Sequence, residues 1–248
     1  VVIGAGVVGA LIARTLSAYR LDVCIVEAKQ DVAMAASSAN SAIVHAGFDA
    51  KEGTLKAALN VRGAEMMEGV CRELGVPFHR VGQYVCFEKA SLKPMIAMYC
   101  RIRKNRDGIS DTELISGEEL SRREPNLHFA FAISNPSSGC VCPYGLTIAY
   151  AENAVQNGAR VSLNTAVLGM ELKDGNIYSV TTNRGTLYMR TVLQLDGTLD
   201  LSAGQWSALD GQLRRIQHLI ADGGNVSQPP GRQRSIQPGP EQAGRVHQ

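Results

Sequence analysis

An α/β fold built around a parallel sheet is what this sequence predicts, and three observations at its start predict it. Val1, Val2 and Ile3 form an apolar β-branched run of the kind a buried parallel strand needs. Gly4-Ala5-Gly6-Val7-Val8-Gly9 follows at once and opens a helix over Ala10 to Leu16. A second apolar run, Val23 to Val26, then ends on an acid, Glu27, about 20 residues beyond the glycines.

Strand, glycine turn, helix, strand and acid at this spacing describe a Rossmann-like half-fold that binds a dinucleotide. Gly4 suits the tight turn, Gly6 leaves no Cβ between backbone and pyrophosphate, and Gly9 lets the helix approach the strand closely. The unpaired N–H groups and the dipole at the helix start favour phosphate. Glu27 is placed to accept hydrogen bonds from a ribose diol. The pattern serves FAD and NAD(P) alike, so an NAD-dependent dehydrogenase stands as the alternative to a flavoenzyme. An acid instead of an arginine at position 27 argues against the 2′-phosphate of NADP.

The bulk properties narrow the classes. The 248 residues carry 45% hydrophobic and 19% charged side chains, as in an ordinary water-soluble protein. A formal net charge of +2, with no basic stripe interleaved with aromatics, argues against nucleic acid as a partner. The 6 cysteines are scattered, the nearest pair being Cys140 and Cys142, with no zinc-like CxxC and no metal site indicated. Reduced thiols in a cytoplasmic protein follow, and both members of the nearest pair read as structural. No apolar run approaches the roughly 18 residues of a membrane span, which leaves peripheral attachment to the inner face of a membrane open. Val1 already lies inside the first strand, so the sequence reads as a fragment at its N-terminus.

Beyond Glu27, Val32 to Ser41 is a loop of small residues able to lie close to a ligand. Ala42 to Phe48 is a short apolar stretch carrying His45. Thr54 to Leu74 keeps a helical period that Gly75 closes. Val76 to Phe87 reads as a strand pair bent at Gly82, and Ser91 to Arg106 as a helix entered through Lys93-Pro94 and ended near Gly108. A short helix starts at Ser116 and stops at Glu124-Pro125. A strand follows over Phe129 to Ser134, a turn over Pro136 to Gly139, and a helix over Leu146 to Asn157 with Gly158 as its cap. Ala159 to Leu163 and Val167 to Leu172 are strands. Asp174-Gly175 and Asn183-Arg184-Gly185 mark two hairpin turns, the second leading into Thr186 to Leu193. From about Leu193 the pattern fails, and Asp222 to Gln248, rich in Gly, Pro, Gln, Ser and Arg, reads as disordered.

With these residues in place the chain resembles the FAD-dependent oxidoreductases of the D-amino acid oxidase superfamily. The resemblance is strongest to the branch with FAD-dependent glycerol-3-phosphate dehydrogenase and L-2-hydroxyglutarate dehydrogenase. It rests on Val1 to Glu27, on Ala39-Asn40-Ser41-Ala42-Ile43-Val44-His45-Ala46-Gly47, and on Lys51-Glu52-Gly53-Thr54-Leu55-Lys56-Ala57. Glu124-Pro125-Asn126 and Gly139-Cys140-Val141-Cys142-Pro143 add two later landmarks. The resemblance covers roughly residues 1 to 192.

It implies FAD as cofactor, with Gly4, Gly6 and Gly9 at the pyrophosphate and Glu27 at the adenosine ribose. It puts Ser37, Ser38, Asn40 and Ser41 along the flavin side, Val167 in backbone contact near the adenine, and His45 beside the flavin as catalytic base or hydrogen-bond donor. The implied reaction is oxidation of a small anionic secondary alcohol or 2-hydroxy acid, with quinone, another acceptor or oxygen taking the electrons. The implied organisation is a partial FAD-binding domain over 1–192 with an inserted substrate-domain segment at about 76–135, an atypical helical or irregular segment over 193–221, and the tail over 222–248. The family's AAG-x-x-A/S-D return to FAD is replaced here by Gln194 to Asp200. The sequence therefore reads as the product of a truncated gene or a reading-frame error, and the expectation is a weakly active or inactive chain, or a non-catalytic fragment.

Overall fold

The computed structural model describes residues 1–47, 50–51, 53–107, 112–173, 176–189 and 192–194. The expected hairpin turn at Asp174-Gly175, the end of a helix near Gly108 and the segments expected over 195–221 and 222–248 lie outside the described residues.

The chain opens with β1 (Val2–Ile3), α1 (Val7–Ser17), β2 (Cys24–Val26), β3 (Ile43–Val44) and α2 (Leu55–Leu74). It continues through β4 (Phe78–His79), β5 (Gln83–Phe87), a 3₁₀ turn at Ala90–Leu92, α3 (Lys93–Asp107), β6 (Glu113–Ser116) and α4 (Gly117–Arg123). Then come β7 (Phe131–Asn135), β8 (Gly139–Val141), α5 (Pro143–Gln156), β9 (Arg160–Ser162), β10 (Val167–Lys173), β11 (Asn176–Thr182), β12 (Gly185–Tyr188) and β13 (Leu193–Gln194).

The expected parallel sheet is present, in the order β13-β1-β2-β9 with every pairing parallel. Its two faces are sorted by the period-2 alternation of strand side chains. Val2 and Ile25, opposite each other, point into a core with Ala10 and Ala13 of α1 and with Leu146, Tyr150 and Ala154 of α5. Ile3 and Val26, the next pair along, point the other way, onto Ile177 and Val180 of the antiparallel meander β10-β11-β12. The sheet is thus covered by helices on one face and by a second sheet on the other. Short apolar runs without polar alternation are what such a doubly covered strand requires.

A separate antiparallel sheet, β5-β7-β6, repeats the device. Ile133 packs with Val85, Leu114 and Ile96 on the α3 side, while Ala132 packs with Ile115, Cys86 and Leu120 on the α4 side. Phe87 stacks on Phe131 across the two strands at 4.8 Å. The third small sheet, β3-β8-β4, carries the segment that leads into His45.

Helix ends follow the expected chemistry. Thr54 Oγ1 accepts from Ala57 N at 3.2 Å at the start of α2, and Gly75 closes it in the left-handed region at φ +68°. Ser116 Oγ accepts from Glu119 N at the start of α4. Helix α5 begins at Pro143, a turn before the expected Leu146. Proline suits the first helical position, and Cys142 Sγ accepts from Gly145 N.

Three other expectations need correction. Val76 to Phe87 is not a hairpin: β4 pairs with β8 while β5 pairs with β7. Gly82, at φ +75° and donating to Ser138 O, turns the chain from one sheet into another. Thr186 to Leu193 is not one strand, because β12 ends at Tyr188, Val192 is fully buried beneath the parallel sheet, and β13 pairs with β1. Gly139 belongs to β8 and not to the preceding turn, and Glu113–Ser116 adds a strand, β6, that the sequence pattern does not announce. Cys140 lies on β8, and Cys142 is the cap of α5.

All six cysteines are free. Burial pushes the thiols of Cys24, Cys71, Cys86 and Cys100 up, which keeps them protonated and poorly nucleophilic at neutral pH. Among the described residues no helix is long and apolar enough to cross a membrane.

Gly139 is the tightest point of the small sheet. A Cβ there would stand 2.5 Å from the Phe78 ring and 2.8 Å from His79 O, and backbone cannot yield cheaply. Gly139→Ala is expected to lower stability by about 1–3 kcal/mol in urea unfolding. An unchanged midpoint and slope would contradict that placement.

Candidate cofactor site

The glycine turn is held by its neighbours before it can hold anything else. Gly4 sits at φ +96°, where a side chain would be strained, and its N–H donates to Val26 O at 2.8 Å. Ala5 N donates to Glu27 Oε2 at 2.7 Å, and Lys29 N to Glu27 Oε1 at 2.8 Å. The Glu27 carboxylate therefore bridges the turn to the end of β2. Each of its oxygens keeps acceptor capacity beyond the one bond it makes here.

Gly6 is extended, at φ −72° and ψ 176°, and caps α1. Its carbonyl accepts the first intrahelical bond, from Ala10 N, so the N–H groups of Val7, Val8 and Gly9 have no partner within the helix. Val7 N donates to Ser37 Oγ at 2.9 Å. No acidic side chain stands in this first turn to compete with an anion. A Cβ on Gly6 would meet Ser37 Oγ at 3.2 Å, so the space beside this backbone is reserved for small groups. A narrow cradle of backbone N–H groups at a helix start fits the diphosphate of a dinucleotide.

The loop of small residues is ordered by its own hydrogen bonds, not a slack connection. Ser38 Oγ donates to Ala35 O, and Asn40 Nδ2 donates to Ala36 O and Ser37 O. Asn40 Oδ1 accepts from Ala42 N at 2.9 Å, which supports Ala42 at φ +60°. Ser38, Asn40 and Ser41 are exposed, whereas Ser37 is half-buried against α1. The loop is also tied back to the glycine turn, since Ala33 N donates to Ala5 O at 3.0 Å.

His45 follows β3 directly and is half-buried. Its segment is fixed by Val44 opposite Gly139 and by Gly47, which takes φ +90° and would clash with Val61 of α2 if it carried a Cβ. Val167 begins β10 opposite Thr182 and packs with Ile3 and Val26. It is brought towards Glu27 through Thr165, whose N–H donates to Glu27 O at 2.7 Å.

The structure thus brings Glu27 and Ser37 onto the glycine turn through Ala5 N and Val7 N, and sets Ser38, Asn40 and Ser41 on the same loop as Ser37. Gly9 is buried in α1, and His45 stands on a different sheet. Sequence reasoning missed Ala33 at φ +60° and Thr165, because neither an alanine nor a lone threonine signals a backbone latch. Among the described residues no group of three or more His, Cys, Asp or Glu side chains could hold a metal ion.

Removing the bridge should loosen the turn. Glu27→Ala leaves two N–H groups without their acceptor and is expected to cost about 1–3 kcal/mol, with Glu27→Gln milder. Chemical denaturation of the three proteins checks this, and equal stability for all three would contradict it.

A protein-family model described as DAO, FAD dependent oxidoreductase, matches residues 1–236, further along the chain than the resemblance expected from sequence. Over 199 residues the chain is 40% identical to a glycerol 3-phosphate dehydrogenase of Caloramator mitchellensis, spanning 79% of this chain and 41% of that protein. It is 30% identical over 197 residues to a mitochondrial L-2-hydroxyglutarate dehydrogenase of Arabidopsis thaliana, spanning 72% and 40%. The chain thus spans about two fifths of the length of these curated relatives. Among solved structures, the dithionite-reduced L-α-glycerophosphate oxidase of Mycoplasma pneumoniae with FAD bound superposes with a TM-score of 0.70 at 26% identity, over 77% of this chain and 52% of that one. The chain belongs to the FAD dependent oxidoreductase family, whose cofactor is FAD.

Proposed function

We propose that this chain carries the dinucleotide-holding part of an oxidoreductase that oxidises a small anionic secondary alcohol or 2-hydroxy acid, with glycerol 3-phosphate the favoured substrate. The observation that carries the reading is the backbone N–H cradle at Gly4 to Gly9, latched by Glu27 and by Ser37. The relative named as a glycerol 3-phosphate dehydrogenase, at 40% identity, supports the choice of substrate over the more distant L-2-hydroxyglutarate enzymes.

In this reading the N–H groups at the start of α1 bind the diphosphate of FAD, and Gly9 lets that helix approach it. Glu27 accepts from the adenosine ribose, and the backbone at Val167 borders the adenine. Ser37, Ser38, Asn40 and Ser41 border the flavin side. Asn40 does so as a brace, because its amide is engaged with the loop's own backbone. Bound FAD supplies the two-electron acceptor for the substrate's C–H. His45 is the base that takes the proton of the hydroxyl on that carbon. The electrons then leave to a quinone, another acceptor or oxygen.

Purified chain titrated with FAD is expected to retain flavin absorbance through gel filtration, and Gly6→Val to lose it. A colourless protein that binds NADH would overturn the flavin reading. Glycerol 3-phosphate is expected to bleach the bound flavin slowly, with weak dye reduction, and L-2-hydroxyglutarate more slowly still. Bleaching by neither would overturn the substrate class, and rapid dye reduction would overturn the expected weak activity. His45→Ala should slow bleaching by about a hundredfold or more while FAD stays bound. Loss of FAD with an unchanged bleaching rate would make His45 structural.

A further inference from the structure

Helix α2 carries an asparagine on the stripe that it turns inward. Ala57, Asn60, Ala64, Met67 and Cys71 recur at the helical period, with Ala57 and Cys71 buried. Ala64, Met67 and Cys71 join the main core. Asn60 interrupts this apolar stripe. Its Oδ1 is closed off from solvent and has no hydrogen-bond partner among the described residues.

Two local rules are broken at once. Asparagine is a poor residue for a helix interior, and a buried carbonyl without a donor is destabilising. The N–H groups around position 60 are spent inside the helix, so a donor has to come from outside it. A position that breaks such rules in an otherwise consistent fold is the kind that serves a site.

The segment that meets this part of α2 is the one carrying His45. Val44, just before it, belongs to the same core as Ala64 and Met67. Gly47, two residues after it, lies so close that an added Cβ would clash with Val61 Cγ2 and stand 3.4 Å from Val61 N. The Asn60–Val61 peptide therefore lies against this segment. Nδ1 of His45 is also closed off from solvent, although the residue as a whole is half-buried. The ring nitrogen left to meet a substrate is Nε2.

We propose that Asn60 is a positioning residue for His45, its amide oxygen accepting a hydrogen bond from Nδ1–H. That bond selects one tautomer, because the proton stays on Nδ1 and Nε2 keeps the lone pair that takes the substrate's hydroxyl proton. Once the ring is protonated the same bond becomes charge-assisted, which favours the imidazolium. The kinetic part of the proposal rests on His45 being the base; the pairing itself does not.

The test is nitrogen NMR of the chain labelled with ¹⁵N-histidine, with FAD added, at a pH where the ring is neutral. His45→Ala identifies the His45 signals among the 5 histidines. The expected spectrum shows a protonated Nδ1 and a bare Nε2. Asn60→Leu should move the proton to Nε2 or mix the tautomers, with melting temperature unchanged or raised, since no carbonyl is then left unpaired. Asn60→Asp keeps an acceptor and should keep the original tautomer. With glycerol 3-phosphate, Asn60→Leu should slow flavin bleaching at saturation by about tenfold or more, with half-saturation unchanged. If Asn60→Leu fails to fold, Asn60→Ala decides. An Nε2–H tautomer in the unsubstituted chain, or an Nδ1–H tautomer that survives in the folded Leu or Ala variant, would overturn the proposal. So would bleaching slowed by His45→Ala but not by Asn60→Leu. A tautomer changed by Asn60→Leu, with bleaching indifferent to both substitutions, would uphold the pairing and overturn the reading of His45 as the base.

Discussion

The bridge made by one carboxylate sets the geometry on which the rest of the site depends. Glu27 accepts from Ala5 N on one side and Lys29 N on the other, so the turn after β1 and the exit from β2 are joined at their tips. Parallel strands bond along their length, but nothing in a sheet ladder fixes the loops beyond its ends. Here a side chain does so with two charge-assisted bonds, the stronger class of hydrogen bond. Thr165 and Ala33 extend the same knot through backbone bonds, to Glu27 O and to Ala5 O. The turn that leads into α1 is thereby tied to both strands and to the loop beyond them.

The layers beneath explain why this end of the molecule is rigid. Val2 with Ile25, and Ile3 with Val26, send alternate pairs into opposite cores, so both strands are packed on both faces. Arg14 adds a polar tie among the helices, with Nε donating to Asn153 and the guanidinium paired to Glu73. The His45 segment is held more locally, by its pairing with β8 and by the close approach of Gly47 to Val61. A rigid cradle and a separately braced histidine suit a division of labour between holding a cofactor and moving a proton.

Much of this was legible in the sequence because it rests on short-range patterns. The opening strand, glycines, helix and acid announce themselves by spacing, and Thr54 and Gly75 bracket α2 by their capping chemistry. What escaped was non-local. Nothing near Gly82 tells that the strands on either side belong to different sheets, since partner choice is made by Ile133 and Val141, far along the chain. Tyr188 and Leu193 look like one apolar run until the burial of Val192 separates them. At the site, resemblance pointed to the Ser37 to Ser41 loop. It gave no hint that Ser37 caps a helix thirty residues upstream or that Asn40 is bound to its own backbone.

The central claim is that a diphosphate sits on the backbone between Gly4 and Gly9, with its sugar on Glu27. An electron-density map of the chain crystallised with FAD tests it most directly. The account predicts phosphate oxygens within hydrogen-bond distance of the N–H groups at the start of α1, and ribose hydroxyls on the Glu27 carboxylate. FAD bound elsewhere, with that turn occupied only by solvent, would contradict it.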